Sequence, residues 1–382
     1  MPRSRPSTAS PAPRQTVLVL QGGGALGAYQ LGVIEALLER GIEPNWVIGT
    51  SIGAINAALV AGNTPAQRLA RLRAFWARVE QPDGDFAAWV DAALTRRWHD
   101  TTTVAQGIPG FFRPRPEAWW WPQARVGVEQ AAYYSTDPLR ATLGELLDPA
   151  LLAAPAIRLT MGAVAVASAR MQYFDSRDTA GGLAIDHVLA SGALPPAFPA
   201  VRIGDVAYWD GGLCSNTPIE AVFDDRPRRN SLIFAVNVWH AEGPEPTSVD
   251  QVLAREKDIQ YASRHDSHIA RQKQIHHLRR VIRELSAHLG SRAVESPAVR
   301  ELASWGCGTT MHVAHLEAPV LPGEGASKDI DFSASGIRAR RAAGRRDALQ
   351  MLEAAPWEEP ADPLAGVVEH RLPGRHPSAP GH

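Results

Sequence analysis

Hydrophobic positions in this chain fall into two patterns. Short, mostly apolar runs occur at Val17-Leu18-Val19-Leu20, Trp46-Val47-Ile48, Ile157 to Val166 and Leu232 to Val238. Such runs read as buried strands of a sheet. Met171 to Phe174 and Tyr208-Trp209 read as shorter strands, and Thr309 to Glu317 as an edge strand. Elsewhere apolar residues recur every three or four positions, the period of a helix with one covered face. Leu31, Ile34, Leu37 and Leu38 follow this period until Gly41, and Leu69, Leu72, Phe75, Trp76 and Val79 repeat it. Ile52 to Val60 is small and apolar all round, as in a helix enclosed on every side. From Ser248 to Leu289 breakers are few, and Ile275, Leu278, Ile282, Leu285 and Leu289 mark an apolar stripe. Arg271, Lys273, Arg279, Arg280 and Arg283 lie opposite, giving a solvated helix packed on the sheet or a membrane-surface or dimer helix. Ser333 to Glu353 reads as a basic helix.

The order of elements predicts an α/β protein. Two strand-turn-helix units open it, and a short helix-strand connection into a parallel strand crosses over right-handed, so both turns emerge at one carboxyl edge of the sheet. Residues 1–14, rich in Pro, Ser and Arg, read as a disordered tail. An α/β catalytic domain is expected over 15–240, a helical C-terminal extension over 241–355 and a Pro-rich tail over 356–382. An aromatic-rich insert, about 81–135, interrupts the domain. It carries Trp89, Trp98, Phe111, Phe112 and Trp119-Trp120-Trp121, with Pro109, Pro114, Pro116 and Pro122 breaking regular structure. Trp119, Trp120 and Trp121 read either as a lid or acyl-pocket rim, or as a loop folded back into the core.

Composition narrows the function classes. With 382 residues, 45% of them hydrophobic, the chain can bury a sizeable core. A net charge of -1 supplies no global field for nucleic acid or an anionic membrane, so any membrane contact must be local. The two cysteines, Cys214 and Cys307, form no disulfide framework and no zinc spacing. His265 and His268 share a helix face without a recognised ligand pattern, so neither metal nor cofactor is expected. The first fifteen residues lack a signal peptide's apolar core and no run of eighteen apolar residues occurs. A cytoplasmic protein is expected, at most peripheral at a membrane.

Candidate chemistry sits in three turns. In Gly49-Thr50-Ser51-Ile52-Gly53 the flanking glycines tolerate a strained turn that lifts the Ser51 hydroxyl above the sheet edge, where it can act as nucleophile. In Gln21-Gly22-Gly23-Gly24-Ala25-Leu26-Gly27 the amides of Gly22, Gly23 and Gly24 can converge near a helix N-terminus, as an oxyanion requires. That turn also spells G-x-G-x-x-G, the dinucleotide fingerprint. A ribose-binding carboxylate is then wanted at the end of the second strand, and Thr50 and Ser51 stand there, with Glu43 before the strand. The third turn, Asp210-Gly211-Gly212, delivers a carboxylate, and a carboxylate within hydrogen-bond reach can replace histidine as the base for serine. His187 and His240 sit in no recognisable turn motif, so a dyad ranks ahead of a triad.

These blocks, with Ala190-Ser191-Gly192-Ala193, Phe198-Pro199 and Asn216-Thr217-Pro218, resemble the patatin-like lipid acyl hydrolases, bacterial patatin-like phospholipases in particular, over about residues 16 to 240. The resemblance implies a three-layer α/β/α fold with a mostly parallel central sheet and a largely helical extension. It implies Ser51 as nucleophile, Asp210 as base and the amides of Gly22, Gly23 and Gly24 as oxyanion hole. The family's glycine turn usually carries Arg or Lys where Leu26 stands, a cation that suits an anionic headgroup. Substrate class is therefore open: phospholipid, lysophospholipid, glyceride or a storage polyester presents the same ester carbonyl. The alternatives from other classes are a nucleotide-binding protein and a non-catalytic binding module.

Overall fold

The computed structural model describes residues 15–83, 105–289, 296–362 and 364–372, without the side chains of 263–266. The expected N-terminal tail, Trp89, Trp98, the side chain of His265 and the last ten residues lie outside the described residues. The first half runs β1 (Gln15–Leu20), α1 (Ala28–Glu39), β2 (Trp46–Gly49), α2 (Ile52–Ala61), α3 (Arg68–Val79), β3 (Arg113–Pro114), α4 (Pro116–Trp120), β4 (Tyr134–Ser135), α5 (Asp137–Leu146), α6 (Pro149–Ala153), β5 (Arg158–Ala165) and β6 (Met171–Asp175). The second runs α7 (Ile185–Ser191), β7 (Val201–Ile203), β8 (Val206–Asp210), α8 (Glu220–Phe223), β9 (Ser231–Asn237), α9 (Val249–Ala287), α10 (Pro297–Ser304), β10 (Met311–Glu317), α11 (Ala334–Ala354) and β11 (Val367–His370).

One sheet holds nine of these strands in the order β11-β10-β9-β1-β2-β5-β8-β7, with β6 also paired to β5. The strands from β11 to β5 are parallel, whereas β6, β7 and β8 join antiparallel. The strand order reverses at β1: β2 leaves on one side and β9 returns on the other. Such a switch point opens a crevice at the carboxyl ends of the strands.

The apolar runs are continuous because both faces of the sheet are covered. Val17, Val19, Trp46 and Ile48 pack with Ile219, Phe223 and Ile269 on one side. Leu18, Leu20, Val47 and Phe234 pack with α1, α2 and α11 on the other. This is the mostly parallel, three-layer arrangement expected.

The C-terminal part does more than add helices. β10 pairs in parallel with β9 over seven residues, so it lies inside the sheet, not at its edge as its sequence suggested. The edge is β11, within the stretch read as a Pro-rich tail; Val367 to His370 pair in parallel with Met311 to Ala314, and Val367 joins the core beside Met311 and Val313. Helix α11 crosses α1 with backbones nearly touching, because a Cβ at Gly32 would overlap the Arg341 carbonyl and one at Gly344 the Tyr29 carbonyl. Its basic residues find the acids of α1: Arg341 pairs with Glu35 at 2.7 Å and Arg345 with Glu39 at 2.6 Å. Tyr29 adds a buried hydrogen bond to Asp347 at 2.8 Å.

Candidate active site

Ser51 ends the β2 turn and caps α2, at φ 57° and ψ -125°. A residue with a side chain rarely adopts this left-handed region, and surrounding structure must hold it there. Here the Ser51 amide donates to the Ser191 carbonyl at 3.0 Å, and Thr50 donates through its hydroxyl to the Ser215 carbonyl at 3.2 Å. Gly49 and Gly53 make the turn tight: a Cβ on Gly49 would overlap the Gly53 backbone, and one on Gly53 would overlap the Leu20 carbonyl.

The glycine turn lies alongside. Its base is a buried amide network: Gln21 accepts from the backbone of Val238 at 2.6 Å and Trp239 at 2.9 Å, and Gln30 donates to the Gln21 carbonyl at 2.6 Å. Asn56 links Gln30 at 2.9 Å to Trp76 at 3.0 Å, tying α2 to the same turn. The three expected oxyanion donors are not equivalent. The Gly22 amide donates to the Asn216 carbonyl at 3.1 Å, while its own carbonyl accepts from Trp239 at 2.7 Å and Asn216 at 3.1 Å. Gly22 is thus spent on holding the turn; Gly23 and Gly24 have no amide acceptor among the described residues. Gly24 needs its glycine for conformation, at φ +54°. Gly23 needs it for space, since a Cβ would stand 2.6 Å from Val238 Cγ2. Gly23→Val is expected to misalign the turn and cost roughly 3 kcal/mol of transition-state stabilisation, one oxyanion donor's worth; kcat on a short ester checks it.

Asp210 ends β8, which runs antiparallel to β5 with Asp210 opposite Ala163. Because Met161 of β5 stands opposite Gly49, this register brings an antiparallel strand's last residue to the edge where β2 delivers Ser51. The carboxylate is almost wholly buried and accepts the Gly212 amide at 2.7 Å, and the Ser51 side chain stands near enough to favour its ionised form. Burial pushes its pKa up to about 7, with the Ser51 side chain and the Gly212 amide pulling the other way. Gly211 packs against the Gly162 carbonyl and Gly212 against Asn216, so neither position has room for a side chain.

Above these groups opens a cavity of about 260 Å³. Ser51, Asp210 and the three turn glycines form its polar floor, and Phe111, Phe112, Tyr134, Leu189, Phe198 and Phe332 its apolar walls. Among the described residues no histidine lines it; His187 instead accepts from the Ala184 amide at 3.0 Å and packs on Phe174. Of the aromatic insert, Phe111 and Phe112 reach the cavity but Trp119, Trp120 and Trp121 do not. Those three are 50%, 79% and 73% exposed, which also takes them out of the core. Trp119 lies 4.5 Å from the Tyr133 ring, and Trp121 lines a second, separate cavity with Tyr133 and Pro196.

Ser191, in a block the resemblance marked without giving it a role, buttresses the Ser51 turn, donating to the Gly162 carbonyl at 2.6 Å. Trp239, Asp329, Ile330 and Phe332, which line the cavity from beyond or at the margin of the expected domain, escaped sequence reading. A glutamine or asparagine inside an apolar helix, as at Gln30 and Asn56, was the one local sign of the network beneath the turn.

Comparison with known proteins identifies the family. The family model described as "Patatin-like phospholipase" matches residues 18–223, and a second, "Patatin phospholipase", matches 259–364. A patatin-like phospholipase domain-containing protein of Coccidioides immitis is 52% identical over 50 residues, 13% of this chain and 7% of that protein. A lysophospholipase of Aspergillus terreus is 58% identical over 48 residues, 13% of this chain and 3% of its own. The chain thus matches only a small part of the length of these curated relatives. Among solved structures, VipD from Legionella pneumophila is similar at 15% identity and TM-score 0.37, covering 91% of this chain and 68% of that one. With the first family model spanning more than half of its 382 residues, the chain belongs to the patatin-like phospholipase family.

Proposed function

We propose that the protein is a serine acyl hydrolase that cleaves carboxylic esters of lipids through a Ser51–Asp210 dyad. Asp210 takes the hydroxyl proton as Ser51 Oγ attacks the ester carbonyl, and the amides of Gly23 and Gly24 receive the developing oxyanion. Collapse of the tetrahedral species expels the alcohol, which regains the proton from Asp210 and leaves an acyl-enzyme. Water then attacks with Asp210 as base once more. The observation that carries this reading is the meeting of Ser51, a buried carboxylate and two unspent amides at the floor of one apolar cavity. A nucleotide would meet hydrophobic walls there and, among the described residues that line it, no Lys or Arg to balance its phosphates. Hydrolysis across esters that differ in chain length and headgroup, with fluorophosphonate labelling alongside, tests the reading; no labelling and no turnover on any ester would sink it.

The aromatic walls support an acyl chain as the group bound, and we place the lipid surface at Trp119, Trp120 and Trp121. No helix among the described residues is long and apolar enough to cross a membrane, and the contact proposed is peripheral. Tryptophan favours the headgroup level, where its ring is half sheltered. Rings run from the cavity towards this patch: Phe112 lies 4.9 Å from Tyr134, and Tyr134 6.4 Å from Trp119. Because the tryptophans are exposed, replacing all three by alanine should leave the melting temperature and short-ester turnover near wild type. Withdrawing about 60 Å² of apolar surface from water is worth ~1.5 kcal/mol, so partition onto phosphatidylcholine vesicles should fall roughly tenfold or more. Sedimentation with vesicles measures this, and unchanged partition would remove the patch from the lipid contact.

A further inference from the structure

We infer that residues 321–333 form a strap that sets the geometry of the glycine turn, and that Arg340 and Lys257 are its positioning residues. The kinetic consequence rests on the proposed role of Gly23 and Gly24; the structural one does not. The strap touches the turn at one place. The Asp329 carbonyl accepts the Ala25 amide at 2.8 Å, and a Cβ on Gly24 would overlap that same oxygen. The peptide plane between Gly24 and Ala25 is thereby anchored from outside, which holds Gly24 at its positive φ and aims its own amide. The strap also supplies cavity wall, through Ile330 and Phe332.

Backbone pairing holds this segment at its far end, where Phe332 accepts the Gln81 amide at 2.8 Å and Ser333 bridges Gln81. Before that point it is gripped by side chains from two helices. Arg340 of α11, 3% exposed, donates to the carbonyls of Asp331 at 2.8 Å and Lys328 at 3.2 Å. Its remaining donors meet Glu324 at 3.0 Å and the Asp331 carboxylate at 3.2 Å, so one guanidinium grips the strap at three places. Lys257 of α9 donates to the Ala326 carbonyl and the Asp329 carboxylate, both at 2.7 Å. A planar five-donor fork cannot be reproduced by an ammonium, and charge-assisted bonds of this kind are the strong ones. Helix α11 also packs on α1, the helix into which the turn leads, so it constrains the turn from both sides. The C-terminal part of the chain would then set catalytic geometry some 300 residues upstream of itself.

The test compares the full chain with Arg340→Lys, which keeps the charge and loses the fork, and Lys257→Met, whose partly exposed site tolerates an apolar side chain. Arg345→Gln, which removes a half-exposed ion pair elsewhere on α11, is the control. Hydrogen exchange over residues 22–26 should quicken roughly tenfold in both strap variants, since Ala25 loses a fixed acceptor. Fluorophosphonate labelling and kcat on a short ester should fall about 10- to 100-fold with KM within twofold, the signature of misaligned donors rather than lost binding. Arg345→Gln should match wild type throughout. Unchanged exchange in both strap variants would overturn the proposal, as would a loss carried by KM or shared with the control. Should the wild-type protein neither label nor turn over, the reading of the site fails, and exchange at residues 22–26 still decides whether the strap holds the turn.

Discussion

Replacing Ser51 by alanine is expected to abolish ester turnover and fluorophosphonate labelling together, a drop on the order of 10⁴–10⁶ in kcat, as when a serine nucleophile is deleted elsewhere. The size follows from what remains. Without the hydroxyl, the cavity, the Gly23 and Gly24 amides and the Asp210 carboxylate persist, but no acyl-enzyme forms, and water must attack directly. The substitution is conformationally benign: serine and alanine both carry a single Cβ, so alanine at φ 57° adds no backbone strain that serine did not carry. A melting temperature within a few degrees of wild type should accompany the loss. Asp210 would meanwhile lose the nearby hydroxyl that favours its ionised form, and its pKa would climb further above the ordinary carboxylate value. Labelling that survives at the wild-type rate in the alanine variant would move the nucleophile elsewhere.

What the sequence disclosed was local. Continuous apolar runs identified strands covered on both faces, and Val17 and Leu18 do enter opposite cores. The tight turn around Ser51 was readable because Gly49 and Gly53 approach so closely that no side chain fits, a constraint written directly into residue type. Partnerships across the chain left no such mark. Nothing in three consecutive glycines tells that the Gly22 amide meets the Asn216 carbonyl while its neighbours meet none. Three adjacent tryptophans have the same composition whether buried or exposed, and Phe111 and Phe112, in the same insert, took the cavity wall instead. β11 escaped for a related reason: four residues flanked by proline-rich sequence become a strand only because β10 offers them an edge. Asp329 acts through its carbonyl, a group that every residue carries.

Asp210→Asn should separate the base from the fold more sharply than any other change. Asparagine keeps an oxygen to accept the Gly212 amide, so the aspartate turn survives, but it cannot take the Ser51 proton. A fall in kcat of roughly 10³–10⁴ is expected, with KM little altered, because the lost interaction exists chiefly in the transition state. In the wild-type protein the carboxylate must be ionised to act, and burial places its pKa at about 7. The rate should therefore decline below pH 7, roughly tenfold per unit, and level off above it. Stability should run the other way. An unfolded aspartate ionises near 3.9, so between about pH 4 and pH 7 the unfolded chain sheds this proton while the folded chain keeps it. The group's contribution is thus present in acid and lost as pH rises through the folded value, after which the fold carries an ionised carboxylate in an apolar setting. Asparagine carries no such charge, so the variant should melt higher than wild type at pH 8 and lose that advantage towards pH 4. Thermal melts across this range, read beside the pH–rate profile, test both halves. A variant that melts lower than wild type at pH 8 would mark Asp210 as a structural support, and a rate limb far from neutrality would assign the base to another group.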